Sequence, residues 1–133
     1  MRAEELMVGD WVQVPTLIDN LEHYDAWCKV KQLRDNDLDV VGFKELRYDE
    51  IVPIPLTTVI LEKNGLCKDN HGLLYGEYFD EDSNKDLEIT VDDKTGEIWW
   101  SYNWDEYRII RLRYVHELQN ALRLCRIEKE IVL

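Results

Sequence analysis

The chain has 133 residues, with 16 Lys+Arg against 28 Asp+Glu, a formal net charge of -12 and 45% hydrophobic residues. That is the size of one ordinary domain or of two small units, and it buries enough surface on folding to hold together without a metal or disulfides. Such acidity excludes a protein that grips nucleic acid or anionic lipid with its whole surface, because phosphate binding is driven by Lys and Arg releasing counterions.

Alternating apolar and polar residues predict short strands over 6–14, 26–33, 38–43 and 48–54. The pattern is clearest in Trp11-Val12-Gln13-Val14 and Trp27-Cys28-Lys29-Val30-Lys31, whose alternate side chains fall on opposite faces. Gly9-Asp10 and Asp35-Asn36-Asp37 supply turn chemistry between the runs. Strands this short and this close hide an apolar face by curling on themselves, which predicts a small barrel over residues 1–56. Leu6, Gly9, Asp10 and Val12 are spaced as in the first strand of many SH3-like barrels.

Pro53 and Pro55 end that segment, and the boundary falls there. A short linker helix follows, capped by Thr57 or Thr58, with Val59, Ile60 and Leu61 as its apolar contacts and Asn64-Gly65 as its stop. Strands over 73–79, 87–91, 98–102 and 107–112 predict an antiparallel meander, with Gly96 serving the turn 92–97. A helix over 114–125 places Tyr114, Leu118, Ala121, Leu122 and Cys125 on one apolar stripe, and 130–133 is long enough for one last strand. The fold expected is therefore α+β: a small SH3-like N-terminal β-barrel (1–56), a linker helix, and an antiparallel β-meander carrying one C-terminal helix (57–133).

Two motifs come close to metal sites. His116-Glu117-Leu118-Gln119-Asn120 approaches His-Glu-x-x-His, in which two imidazoles one helical turn apart hold zinc and the glutamate activates water; here Asn120 replaces the second imidazole. Asp80, Asp82, Asn84 and Asp86 match the alternating oxygen ligands of a calcium loop, but Lys85 stands for its glycine and Val91 for its bidentate glutamate. No Walker loop, nucleophile elbow or dinucleotide fingerprint is present, so no catalytic residue, cofactor or metal ligand is assigned. The aromatic run Trp99-Trp100-Ser101-Tyr102-Asn103-Trp104 turns its first two indoles to opposite faces of a strand, and exposed rings of this kind anchor partners.

Three blocks together resemble a group of small uncharacterised proteins from gut Bacteroides genomes and their phages or mobile elements. They are Leu6-Met7-Val8-Gly9-Asp10-Trp11-Val12, Ile54-Pro55-Leu56-Thr57 with Ile60-Leu61-Glu62-Lys63-Asn64-Gly65, and Tyr114-Val115-His116-Glu117-Leu118-Gln119-Asn120-Ala121-Leu122-Arg123. The resemblance implies no activity and carries over no functional residue; it implies a mobile-element-related protein in which the His-Glu-Leu-Gln block serves helix packing.

Three widely spaced cysteines, Cys28, Cys67 and Cys125, with no Cys-x-x-Cys pair suit reduced thiols in a cytoplasm. No apolar stretch approaches the roughly 20 residues that span a bilayer, so no membrane partner is expected. The function expected is a non-enzymatic protein–protein binding or assembly module, acting on an unknown partner or as a homo-oligomer. The alternatives are a metal-dependent hydrolase using His116 and Glu117, and an acidic decoy that mimics nucleic-acid charge.

Overall fold

Period-two alternation in the first 54 residues forces one apolar face that has to be covered, and the course of the chain follows from how it is covered. The computed structural model describes residues 1–18, 22–68, 74–80, 85–92, 95–102 and 109–133. They divide into two units, Met1–Ile54 and Pro55–Leu133.

The first unit is an antiparallel sheet of order β1-β2-β3-β4, formed by β1 (Trp11–Ile18), β2 (Glu22–Leu33), β3 (Asp37–Val40) and β4 (Phe43–Arg47). Val12 lies opposite Cys28, Val14 opposite Ala26, and Val30 opposite Val40, so the inward side chains form continuous rows. With Leu6, Leu38 and Ile51 they make the core. No α-helix lies among the described residues of this unit, so the sheet covers its apolar face by curling. The chain after β4 then returns to β1, where Gln13 and Val52 exchange both backbone hydrogen bonds at 2.9 Å. The result is a half-barrel.

Three predicted strands are corrected. The run 38–43 is broken by a turn at 41–42, where Gly42 takes φ 99°, so that β3 ends at Val40 and β4 begins at Phe43. Residues 6–10 form a turn in place of the first half of a strand: Gly9, at φ 94°, donates its N–H to Val30 O at 2.8 Å. The buried Asp10 carboxylate accepts the Met7 N–H at 2.9 Å, fixing the turn so that β1 begins only at Trp11. Residues 48–54 are a 3₁₀ turn, Tyr48–Glu50, followed by the single bridge at Val52. Glu50 Oε1 accepts the Arg47 N–H at 3.2 Å and its Nε at 3.1 Å, which folds the chain locally, and Pro53 has no N–H to extend a ladder.

The register of β3 on β4 slips between the pairs Leu38–Leu46 and Val40–Phe43, a bulge that places Glu45 at φ 54°. Asp39 supports this strained residue by accepting its N–H at 2.8 Å, and it also accepts Arg34 Nη2 at 2.6 Å. Arg34 Nε donates to Asp37 as well. The Arg34 guanidinium, then the Glu45 N–H, hold the Asp39 carboxyl at about 2, below its ordinary 3.8. The two carboxylates, Asp39 foremost, push the Arg34 guanidinium up in turn.

The second unit contains α1 (Thr58–Lys63), β5 (Cys67–Lys68), β6 (Leu74–Asp80), β7 (Lys85–Val91), β8 (Ile98–Tyr102), β9 (Ile109–Leu112) and α2 (Val115–Leu124). Its five strands form a second antiparallel sheet in sequence order. Thr57 caps α1, its hydroxyl accepting the Ile60 N–H at 3.3 Å. Only part of the predicted apolar face of α1 is used: Ile60 and Leu61 are buried, whereas Val59, one helical step away, is 70% exposed. Leu56 N–H donates to Arg113 O at 2.9 Å, and Pro55 bridges Tyr114, so the entry to α1 is paired with the entry to α2.

Both helices end in the same way. Leu66 N–H donates to Leu61 O at 3.1 Å after α1, and Ile127 N–H to Leu122 O at 2.9 Å after α2, with buried apolar residues at both ends of each bond. The left-handed residue between is Gly65, at φ 103°, in the first case and Arg126, at φ 55°, in the second. The segment 130–133 does not form the predicted strand. It is held instead by a side chain: Asn64 Oδ1 accepts the Val132 N–H at 2.8 Å, and Asn64 Nδ2 donates to Val132 O at 2.7 Å.

Two tests follow from these local geometries. Because the Asp39 carboxyl is depressed in the folded chain, its contribution is complete above the unfolded value near 3.8 and is lost as pH falls through about 2. Asp39→Asn is therefore expected to lower the urea midpoint at neutral pH, and the gap from wild type is expected to close as pH is brought toward 2. Arg126→Gly removes a Cβ from a left-handed position and is expected to raise stability by about 1 kcal/mol in urea melts.

Candidate functional site

Strand alternation in the first unit buries Val12, Val14, Cys28 and Val30 and turns Trp11, Gln13, Trp27 and Lys29 outward. Trp11 pairs with Lys29 across the strands, and Gln13 with Trp27, so the two indoles are diagonal neighbours on one surface. Lys29 Nζ sits 5.2 Å from the Trp11 ring centroid, a cation–π contact that holds the ammonium over the indole. Val52, bridged to Gln13, extends the same face on the far side of β1. Trp27 is 50% exposed, and Val52 is exposed on the other side of Gln13. On the inward side, burial raises the Cys28 thiol, which keeps it protonated and unreactive.

A separate cavity of about 400 Å³ in this unit is lined by Val14, Pro15, Phe43, Leu46, Asp49 and Glu50. Its acidic rim is already matched: Arg47 Nε lies 3.1 Å from Glu50 and 3.5 Å from Asp49, and the Arg47 backbone N–H followed by its guanidinium holds the Glu50 carboxyl below the usual range.

In the second unit, β8 places Trp99 between Thr90 and Arg111 and Trp100 between Ile89 and Ile110, so the two indoles lie on opposite faces, as strand geometry requires. Both are half-buried. Trp100, Ile110, Leu112, Ala121 and Leu124 line a shallow cavity of about 250 Å³ between the β8–β9 end of the sheet and α2. Arg111, between Ile110 and Leu112 on β9, lies 3.5 Å from Glu97.

The residues of the two near-metal motifs are placed as follows. Glu117 faces the start of α2, where Oε1 accepts the N–H groups of Arg113 at 3.0 Å and Tyr114 at 2.9 Å. Asn120 Oδ1 accepts Arg123 Nη1 at 3.0 Å. His116 is buried, stacked on Tyr114 with ring centroids 5.8 Å apart. The side chain of His23 and the whole of His71 lie outside the described residues. Among the described residues no group of three or more His, Cys, Asp or Glu is placed to hold a metal ion. Residues 81–84 of the calcium-like loop lie outside the description; β6 and β7 meet on either side of it at the pair Asp80–Lys85, strands where a calcium-binding hand has helices. Trp104 is likewise outside the described residues.

In the sequence, Trp99–Trp104 stands out as an aromatic run, whereas Trp11 and Trp27 read only as members of alternating strands. The signal for them was present, because the same alternation that buries Val12 and Cys28 must expose the indoles one residue away. No protein-family model, curated protein or solved structure matches the chain. Among the described residues no helix is long and apolar enough to cross a membrane.

Glu117→Ala is expected to cost about 1 kcal/mol by exposing two backbone donors at the start of α2, read as a lower urea midpoint, and Glu117→Gln is expected to restore most of it.

Proposed function

We propose that the chain is a non-enzymatic binding or assembly module that uses the outer face of an SH3-like half-barrel to bind a second copy of itself. The strand order β1-β2-β3-β4, the curl of the sheet and the return of Val52 to β1 support the SH3-like reading. The observation that carries the function is Trp27, half out in solvent and diagonal to Trp11, on a face that continues through Gln13 to Val52 and includes Lys29. Large rigid rings surrounded by polar groups give contact area at little entropic cost, and they are over-represented among the residues that dominate interfaces. A mobile-element-related role, as the resemblance to Bacteroides and phage proteins implies, fits a small assembly protein. The alternative hydrolase reading loses support because Glu117 is committed to backbone donors and Asn120 to Arg123.

Size-exclusion chromatography with light scattering at micromolar concentration is expected to show a mass twice that of the monomer. Trp27→Ala is expected to return it to the monomer with an unchanged far-UV circular dichroism spectrum. A wild-type chain that is monomeric throughout, or a variant that associates as strongly as wild type, overturns the reading.

A further inference from the structure

Asn64 is 1% exposed, and the hydrogen bonds of its side chain include three among the described residues: Nδ2 donates to Ile60 O at 2.8 Å and to Val132 O at 2.7 Å, and Oδ1 accepts the Val132 N–H at 2.8 Å. One amide thus stands in for a missing strand partner and fastens the segment 127–133 to the end of α1. The residue that follows is Gly65, in the left-handed region at φ 103°. Asn followed by Gly is the dipeptide in which intramolecular deamidation meets least hindrance, because glycine has no side chain to shield its nitrogen. We infer that Asn64 is a spontaneous modification site, protected while the segment 127–133 is docked, and that its deamidation unfastens that segment irreversibly.

The chemistry balances with water as the only co-reactant. Gly65 N loses its proton and attacks Asn64 Cγ; the new C–N bond closes a five-membered succinimide, and the Cγ–Nδ2 bond breaks to release ammonia. Water then opens the ring at either carbonyl, leaving aspartate or isoaspartate. In the folded chain both reacting groups are occupied. The Gly65 N–H is donated to Glu62 O at 3.2 Å, and any rotation of the amide toward Gly65 N breaks bonds to Ile60 and Val132. Reaction therefore waits for a local opening of the latch. After it, the carboxylate has no N–H to give Val132 O or Ile60 O, and a charge stands where the amide was 1% exposed, so redocking is opposed on both counts. Isoaspartate also lengthens the backbone by one carbon immediately before the turn at Gly65.

The test uses the wild-type chain, aged in mildly alkaline buffer with and without denaturing guanidinium chloride, and reads the amide-to-acid mass change and isoaspartate content of the peptide containing Asn64. Deamidation is expected to be about 100-fold slower in the native chain, the factor that three hydrogen bonds of ordinary net strength place on opening. Equal rates in the two conditions overturn the proposal. Asn64→Asp supplies the second arm: by hydrogen exchange the Val132 amide is expected to lose at least about tenfold of its protection while α2 keeps its own. Unchanged protection at Val132 overturns the unfastening step. Should Asn64→Asp not fold, the aged wild-type chain, separated into amide and acid forms by ion exchange, provides the same comparison.

Discussion

A four-stranded sheet with no α-helix among its described residues has to hide its apolar face against itself, and this constraint organises the first unit. Val12, Val14, Cys28, Val30, Leu38 and Val40 all point the same way, and curling brings them together with Leu6 and Ile51. At about 25 cal/mol per Å² of apolar surface, that burial outweighs any single hydrogen bond in the unit. The polar devices serve the curl. The Gln13–Val52 pair satisfies the outer edge of β1, and the Asp39–Arg34–Asp37 cluster supports the bulge at Glu45 by which β4 turns. The same alternation that fills the core sets Trp11 and Trp27 outside, so the proposed binding face is a geometrical consequence of the core.

The second unit solves a similar problem with helices available. Buried Leu87, Ile89, Ile98 and Leu112 mark the covered positions of the sheet, and Val115, Leu118, Ala121 and Leu122 those of α2. Neither helix is long, and α1 has only six residues, so their ends matter as much as their faces. Thr57 and Glu117 satisfy donors at the starts, and the Leu66–Leu61 and Ile127–Leu122 bonds satisfy carbonyls at the ends. The burial of His116 and Gln119 beside the apolar stripe makes the packed face of α2 wider than a reading of apolar residues alone predicts.

Much of this is legible in residue patterns, and the exceptions have two causes. Trp11–Val14, Trp27–Lys31, Ile98–Tyr102 and the α2 stripe are read correctly because their periodicity is local. The predicted strands at 6–10 and 48–54 fail because side chains intervene: the Asp10 carboxylate and the Arg47–Glu50 pair fold the chain into turns where hydropathy alone permits extension. Segment 130–133 fails for a different reason. Its apolar Ile131 is buried as a strand residue would be, but its backbone partner is an asparagine 68 positions away, and no local pattern encodes that.

By itself, the sequence determined the mixed α+β class, the period-two and helical faces, a threonine cap at Thr57 or Thr58 and the Gly65 stop, because each depends on neighbours within a turn or two. Acidity excluded a generally basic nucleic-acid binder in the same direct way. Only the tertiary structure decided that the first sheet closes through Gln13 and Val52, that Glu117 is a capping residue with its carboxylate already occupied, and that Asn64 fastens a distant segment. Those are long-range pairings between groups that many other arrangements would also satisfy, so the packing of the apolar faces has to choose among them.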